Sequence, residues 1–160
     1  MSTFTHARGF IPWNKVDPWL KGFRSIWVST TRPDARPHAV PVWYLWDREH
    51  IYFTSSKSTQ KARNLAKQSE IVVHAGDGDD AIILEGKAVI VTDSDEWIQV
   101  NNDYMAKYVD PHSGAKATIV ETDNLYRVEV KRIMCSEYGV VATRTDWRQE
   151  AMSEGGQVER

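Results

Sequence analysis

The feature that most constrains the fold is a run of three short strand-like segments between residues 24 and 55. They span residues 24–31, 38–46 and 51–55, and Pro- and Asp-rich sequences separate them, as tight turns require. Connections this short join neighbouring strands that run antiparallel, so the segment is predicted to be a β-meander. The middle strand is almost wholly apolar, which predicts that both of its faces are covered.

Three further strands are predicted after the meander. They span residues 70–75, residues 81–92 and a segment that starts at residue 126 and continues past residue 133. Gly86, inside the long second strand, marks a bulge or a close approach of two backbones. About six mostly antiparallel strands make a mainly β fold, a closed or nearly closed β-barrel with accessory helices.

Two helices accompany these strands. The first is capped by Ser58 or Thr59 and runs to residue 68. The second follows the acidic sequence at residues 93–96, which is a typical helix start. The face of this second helix that we expect to be buried consists of Trp97, Ile98, Tyr104, Met105 and Tyr108.

The chain has the length of one domain, residues 1–160. A chain of 160 residues buries a sizeable core without disulfides or metal ions. Residues 1–22 are predicted to form an irregular arm with a short turn at 17–20, because Pro12 and Pro18 interrupt regular structure. Residues 150–160 are polar and are predicted to form a flexible tail.

Charge, cysteine content and hydropathy exclude several classes of protein. Twenty Lys and Arg against 22 Asp and Glu give a net charge of −2, so no global attraction to nucleic acid or to a membrane is expected. Cys135 is the single cysteine, which excludes an intrachain disulfide and a cysteine-based zinc site, and the five histidines lack metal-ligand spacing. No apolar run approaches the roughly 20 residues of a spanning helix, and no signal peptide is recognisable, so a cytoplasmic protein is expected.

Tryptophan is frequent in this sequence. The chain has seven Trp residues, and five of them fall within the first 46 residues. Large aromatic side chains serve core and interface packing, and they also form surfaces that hold planar ligands. The composition leaves both interpretations open.

Hydroxyl and cationic side chains gather where the third strand gives way to the first helix. These residues are Thr54, Ser55, Lys57, Ser58, Thr59, Lys61 and Arg63. The N-terminus of a helix carries unpaired N–H groups and partial positive charge, so this junction is suited to a phosphate group. A capped surface helix with solvated cations accounts for the same residues equally well.

The order of these parts resembles the flavin-binding split-barrel family of pyridoxamine 5'-phosphate oxidase and its relatives. The similarity is closest to an oxidoreductase branch that carries Asp-Gly-Arg-Pro before the second strand and Lys-x-Arg-Asn-Leu after the third. Here residues 34–37 are Asp-Ala-Arg-Pro and residues 61–65 are Lys-Ala-Arg-Asn-Leu. The similarity extends from residue 23 to residue 137 and includes the Leu-Glu-Gly-Lys-Ala sequence at residues 84–88.

The resemblance implies a six-stranded antiparallel split β-barrel of the FMN-binding type, a homodimer with two cofactor sites at the subunit interface. In this family the helix-opening segment holds the cofactor phosphate, and the second strand lies along the isoalloxazine ring. Lys61 and Thr59 match the phosphate-binding Lys and Ser of the family, and Thr54 matches the hydroxyl that ends the third strand. Together with the hydroxyl-rich junction, the resemblance predicts a set of cofactor-binding residues: Val40, Pro41, Val42, Trp43, Thr54, Ser55, Ser58, Thr59, Lys61 and Asn64.

The sequence also departs from true pyridoxamine phosphate oxidases. His38 and Trp43 stand where those enzymes place an Arg and a Lys, Gln60 replaces the Arg before the phosphate-binding Lys, and an Arg-Leu-His motif is missing near the C-terminus. These differences disfavour pyridoxal phosphate synthesis. The resemblance therefore implies a flavin-dependent oxidoreductase that uses an electron donor and transfers hydride to or from a small organic substrate. No catalytic residue is assigned, although Tyr44, His38 and Arg144 are candidates to reach a substrate.

Three alternatives stay open at this point. One is the deazaflavin coenzyme F420 in place of FMN, with a basic groove for its phosphate and oligoglutamate tail lined by Lys57, Lys61, Arg63 and Lys67. Another is a split barrel that binds a flavin or haem without turnover. The third is an OB-like barrel for single-stranded nucleic acid, against which the acidic charge balance argues.

An Arg and a Trp near the end of the chain, Arg144 and Trp147, allow two interpretations. They either close over the cofactor of a partner subunit or belong to a docked surface tail.

Overall fold

The structure is a computed structural model, and it describes residues 4–8, 11–76, 80–137 and 145–149. Within these ranges the chain forms eight strands and three helices, and none of these helices is long and apolar enough to cross a bilayer. In chain order the elements are β1 (Phe4–Arg8), α1 (Trp13–Gly22), β2 (Ser25–Thr31), β3 (Pro37–Trp46), β4 (His50–Ser55), α2 (Gln60–Leu65), β5 (Glu70–Gly76), β6 (Ala81–Ile90), α3 (Ser94–Lys107), β7 (Asn124–Ser136) and β8 (Thr145–Gln149). Arg144 and the predicted tail at residues 150–160 lie outside the described residues.

Six of the strands close into the predicted antiparallel barrel. The hydrogen-bonded order is β2–β3–β4–β7–β6–β5, and β5 pairs with β2 to complete the ring. β7 is the longest strand, with 13 residues, and it pairs with β4, β6 and the additional strand β8. Inward side chains from the six strands form the core, and fully buried examples are Ile26, Ile51, Val73, Leu84 and Val128. The mainly β fold class is therefore confirmed.

Gly86 lies at the bulge that the sequence predicts in β6. The register between β6 and β7 shifts between Glu85 and Gly86. A Cβ atom added at Gly86 would lie 2.3 Å from the carbonyl oxygen of Glu129 in β7. Glycine is therefore required for the close approach of β6 and β7 at this point.

The N-terminal segment is not the irregular arm that we predicted. It forms β1 and α1, and the predicted turn at residues 17–20 lies inside α1. Val16 and Leu20, one helical turn apart, have no exposed surface. Pro12 precedes the helix at the N-cap position, and Pro18 is accommodated within it. A proline inside a helix removes one backbone hydrogen bond, and the burial of this apolar face outweighs that loss.

An aromatic cluster holds α1 against the barrel. The Trp13 ring centroid lies 5.5 Å from that of Phe4, 6.4 Å from that of Trp46 and 5.2 Å from that of Trp147. Trp46 Nε1 donates a hydrogen bond to the buried carboxylate of Asp17 at 3.0 Å. Three tryptophans therefore serve packing within the chain, and the segment that contains Trp147 docks on its own subunit as strand β8.

α3 buries a face that differs from the predicted one. Tyr104 and Tyr108 are buried as expected, and Val100 joins them. These three residues follow one another at intervals of four, which places them on one side of the helix. Ile98 lies outside this side of the helix and is 54% exposed, so its predicted burial is wrong. Met105 is partly exposed.

The middle strand of the meander is covered on both faces only at its end, at residues 44–46. Along the rest of β3, Val40 and Val42 pack against the barrel core. The opposite face is exposed and consists of Ala39, Pro41 and Trp43. The prediction of complete coverage is therefore wrong for a single chain, because apolar side chains indicate burial without indicating that the same chain provides the cover.

We expect Gly86→Ala to destabilise the barrel by about 1–3 kcal/mol, because the new methyl group collides with the β7 backbone. Urea unfolding followed by circular dichroism measures the change. Gly22→Ala is the matched control, since an added Cβ at Gly22 meets nothing within 4 Å and is expected to leave stability unchanged or slightly raised. Equal stability of the Gly86→Ala variant and the wild type would contradict the close approach.

Candidate functional site

The junction of β4 and α2 places four hydroxyl groups together. Ser55 Oγ lies 2.6 Å from Thr59 Oγ1, and Ser56 Oγ lies 3.1 Å from Ser58 Oγ. Thr59 is the N-cap of α2, and its hydroxyl accepts a hydrogen bond from Ala62 N at 3.3 Å, which confirms one of the two predicted caps. Ser55 is buried, whereas Ser58 is exposed, so the cluster opens toward solvent on the Ser58 side.

Lys61 supplies positive charge at this junction. α2 has only six residues and ends three residues earlier than predicted, so its dipole contributes little. The Lys61 side chain is partly buried, which lowers the pKa of its ammonium, and the negative charge of Asp123 opposes this shift. Among the described residues, no carboxylate lies within 4 Å of the Lys61 ammonium. A partly desolvated cation without a counter-ion favours the binding of an anion.

Asn64 holds α2 against the barrel. Its side chain has no exposed surface, donates to Thr30 Oγ1 at 2.9 Å and accepts from Gln60 Nε2 at 2.7 Å. The Thr30 hydroxyl lies 3.5 Å from His38 Nδ1. These contacts connect α2 to β2 and β3 and position Lys61, which lies one helical turn before Asn64. A direct contact between Asn64 and a cofactor stays a prediction.

His38 lies close enough to Lys61 to respond to its charge. Partial burial lowers the pKa of the His38 imidazole, and the positive charges of Arg32 and Lys61 lower it further. The ring is therefore uncharged at neutral pH. It adds a hydrogen-bonding group to the junction without adding charge.

The other cations of the predicted site are placed differently. Arg63 donates to the Ser58 carbonyl oxygen and, at 2.9 Å, to Gln60 Oε1, so neighbouring protein groups already engage its guanidinium. Lys57 and Lys67 are exposed. These exposed ammonium groups are solvated, so an ordinary surface role accounts for them.

The predicted ring-binding residues of β3 separate into two groups. Val40 and Val42 direct their side chains into the core, so only their backbone faces outward. Pro41 and Trp43 are exposed on the outer surface of the barrel. Thr54 alternates with the buried residues of β4 that enter the core, which places it on this outer side as well.

Sequence reasoning missed the role of Tyr108. Its hydroxyl accepts a hydrogen bond from Tyr44 N at 2.8 Å and lies 2.8 Å from the carbonyl oxygens of Arg24 and Tyr44. β3 pairs with β2 up to Trp43 and with β4 from Tyr44 onward, so the hydroxyl lies where the β2 backbone no longer continues. The Tyr108 ring stacks on Trp43 at 4.8 Å with the planes 6° apart. No local signal predicts this contact, because 64 residues separate Tyr108 from Tyr44.

Two residues proposed from the sequence to act near a ligand are buried elsewhere. Tyr44 has no exposed surface, and its hydroxyl donates to the Leu20 carbonyl oxygen in α1. Tyr44 is therefore not placed to reach a substrate. Trp147 packs on Trp13 of the same chain.

Lys107, at the end of α3, is a further residue that the sequence did not single out. Its ammonium lies 3.7 Å from the centroid of the Tyr44 ring and 5.5 Å from that of Tyr108. Burial lowers the pKa of this ammonium to about 8. The electron-rich ring faces attract the cation, whereas the loss of hydration disfavours it.

The closed six-stranded antiparallel barrel, in which β4 leads directly into α2, defines a split-barrel protein. A sequence model of the pyridoxamine 5'-phosphate oxidase family matches residues 13–136. The chain therefore belongs to the pyridoxamine 5'-phosphate oxidase family, as the resemblance indicated. No curated protein matches the chain.

Solved structures with this fold belong to proteins of different kinds. A conserved hypothetical protein from Mycobacterium tuberculosis is 20% identical and has a TM-score of 0.69, with 96% of this chain and 98% of the other covered. An F420 reductase is 21% identical with a TM-score of 0.56, and the match covers 73% of this chain and 94% of the other. A haem storage protein from Vibrio cholerae is 15% identical with a TM-score of 0.61, over 74% and 89% of the two chains. These similarities show a shared fold. Proteins with this fold include a reductase and a haem storage protein.

We expect Lys107 to make stability rise with pH between about 8 and 10.5, the pKa values of its ammonium in the folded protein and in an exposed lysine. In this range the unfolded chain binds the proton more readily than the folded chain, so raising the pH favours folding. Urea unfolding at several pH values, for the wild type and Lys107→Met, measures the effect. The wild type should show the steeper rise, whereas parallel curves would contradict the buried position of the ammonium.

Proposed function

We propose that the protein is a flavin-dependent oxidoreductase that binds FMN at a homodimer interface and transfers hydride to or from a small organic substrate. The observation that carries the proposal is the partly buried Lys61, which has no carboxylate within 4 Å in the described parts of the chain and lies beside a cluster of hydroxyls. Membership of the pyridoxamine 5'-phosphate oxidase family supports the choice of a flavin.

The donor set of the junction fits a phosphate monoester. Lys61 offers charge-assisted hydrogen bonds, and the hydroxyls of Ser58 and Thr59 offer neutral ones. Ser55 shares its 2.6 Å hydrogen bond with Thr59 and is buried, so it orients the Thr59 hydroxyl. A phosphate dianion compensates the Lys61 charge and removes the cost of leaving that charge partly buried and unpaired.

The exposed part of β3 fits the ring of the cofactor. Pro41 and Trp43 offer apolar outward surface, and the core-facing Val40 and Val42 leave their backbone along it. FMN, when bound, supplies the hydride chemistry itself. The residues of the chain bind the cofactor and orient it. The junction holds the phosphate, and β3 provides a rigid wall for the ring because it is hydrogen-bonded to β2 and β4.

An exposed apolar surface supports the homodimer. Trp27 is 46% exposed and Val72 is 36% exposed, and Pro41 next to Trp27 is exposed as well. They lie on the adjacent strands β2, β3 and β5, where Trp27 pairs with Pro41 and Ser29 pairs with Val72. A contiguous apolar sheet surface of this kind is typically covered by another subunit. The proposed dimer interface therefore includes the proposed ring-binding strand.

Coenzyme F420 is the second candidate cofactor. The exposed Lys57 and Lys67 extend the positive charge of Lys61 over both ends of α2. A longer anionic tail engages cations that the phosphate of FMN leaves unused. An F420 reductase shares the fold, with a TM-score of 0.56.

We expect Lys61→Ala to weaken FMN binding by about 1–3 kcal/mol, because it removes a charge-assisted contact. Fluorescence titration of FMN with the purified variant measures the loss. Lys131→Ala, an exposed lysine on β7, is the matched control and should leave the affinity unchanged. Unchanged affinity in Lys61→Ala would show that the phosphate assignment is wrong.

The identity of the cofactor and the existence of turnover are tested separately. The absorption spectrum of the protein after incubation with FMN, F420 or haem identifies the group that stays bound after gel filtration. Reduction of the bound flavin by a nicotinamide donor, followed by reoxidation with a panel of organic acceptors, tests turnover. A bound flavin that no donor reduces and no acceptor reoxidises would favour a binding protein without activity.

A further inference from the structure

The Trp43 side chain is held in one exposed position. Its indole is 43% exposed, although it stacks on Tyr108 at 4.8 Å and carries the Arg24 guanidinium 5.3 Å from its ring centroid. Tyr108 is itself buried, and its hydroxyl lies 2.8 Å from three backbone atoms of Arg24 and Tyr44. An aromatic surface that is already ordered binds a planar ring without the entropy cost of ordering it.

Arg24 offers a charge next to this indole. Its guanidinium is exposed, and in the described residues no carboxylate lies within 4 Å of it. Asp110 interacts with Arg24 over a longer distance, but its Oδ1 atom accepts from the backbone N–H groups of His112 and Ser113 and from the Ser113 hydroxyl. A guanidinium held on an indole presents its N–H edge for bidentate binding of a carboxylate.

We propose that Arg24, Trp43 and Tyr108 form a substrate platform, and that the substrate class is a planar aromatic carboxylate. The exposed part of the Trp43 indole, which neither Tyr108 nor Arg24 covers, contacts the aromatic ring, and Arg24 binds the carboxylate. Tyr108 acts as a positioning residue, because it fixes both the indole and the point at which β3 changes its pairing partner. This inference rests on the proposed function, since Trp43 lies on the strand assigned to the cofactor ring.

The platform and the Lys61 junction differ in the anion that they suit. The junction combines an ammonium with a cluster of hydroxyl groups, which suits the several oxygens of a phosphate. At the platform, the Tyr108 hydroxyl is engaged with backbone groups, and the guanidinium provides a planar pair of donors. A planar two-oxygen anion matches that pair better than a phosphate does.

The test is calorimetric titration of the cofactor-loaded protein with 2-naphthoate, 2-naphthamide and 2-naphthyl phosphate. We expect 2-naphthoate to bind about tenfold more tightly than the uncharged amide, because only the carboxylate forms a charge-assisted bidentate contact with Arg24. Arg24→Gln should abolish this difference, and this exposed substitution leaves the core intact. Equal binding of carboxylate and amide by the wild type, a preference that survives in Arg24→Gln, or tighter binding of the phosphate would overturn the proposal.

Two matched pairs of variants separate the platform from general packing. Trp43→Leu should weaken 2-naphthoate and 2-naphthamide alike, whereas Ile98→Ala, which removes exposed apolar surface on α3, should weaken neither. Tyr108→Phe keeps the stacked ring but loses the hydroxyl contacts with the backbone, and it should also weaken both ligands alike. Tyr104→Phe makes the same chemical change on the same helix and should leave both affinities unchanged. Equal losses of ligand affinity in the two variants of either pair would contradict the role of Trp43 or of Tyr108 in the platform.

Failure of this inference and failure of the proposed function give different results. A protein that retains FMN but does not prefer 2-naphthoate refutes the platform and leaves the oxidoreductase proposal in place. A protein that retains neither FMN nor F420 refutes the proposed function. In that case the same titration of the purified protein still decides whether Arg24 and Trp43 bind an aromatic carboxylate.

Discussion

The pairing of β7 with both β4 and β6 is the constraint on which the rest of the structure depends. Its 13 residues close the sheet, so the inner faces of six strands share one apolar core and the barrel strands have neighbours on both sides. Closure requires the two long strands to approach closely, and Gly86 permits this approach at the bulge. Once the barrel is closed, function is restricted to its outer surface and to the junctions between elements.

β3 connects two places with chemical character, one near each end of the strand. His38, near one end, responds to the charge of Lys61, and Trp43, near the other, stacks on Tyr108 below the Arg24 guanidinium. Trp43 follows His38 by five positions along the extended strand, roughly 17 Å, so the two side chains lie on opposite faces of β3. The two ends differ in their donors, because hydroxyls accompany Lys61 whereas an indole accompanies Arg24.

Short-range patterns predicted most of the barrel and part of the junction. The meander, the bulge at Gly86 and the cap at Thr59 followed from turn residues, alternation and side chains that bond the nearest backbone. The N-terminal helix was missed because two prolines outweighed its apolar spacing, and the burial of Ile98 was wrong because the side of α3 that faces the barrel depends on distant strands. The assignment of Val40, Thr54 and the other cofactor-binding residues is still a prediction from family resemblance.

The sequence by itself determined the class of the fold and the collection of hydroxyls and cations at the start of α2, since both arise from residues that are neighbours in the chain. Tertiary structure alone decided which of these groups are available to a ligand. It left Lys61 partly buried with no carboxylate within 4 Å in the part of the chain that the structure describes, engaged Arg63 and Asn64 with protein partners, and brought Tyr108 to the point where β3 changes its neighbour. The physical reason is that desolvation and long-range hydrogen bonds depend on groups far apart in the chain, and no local pattern records them.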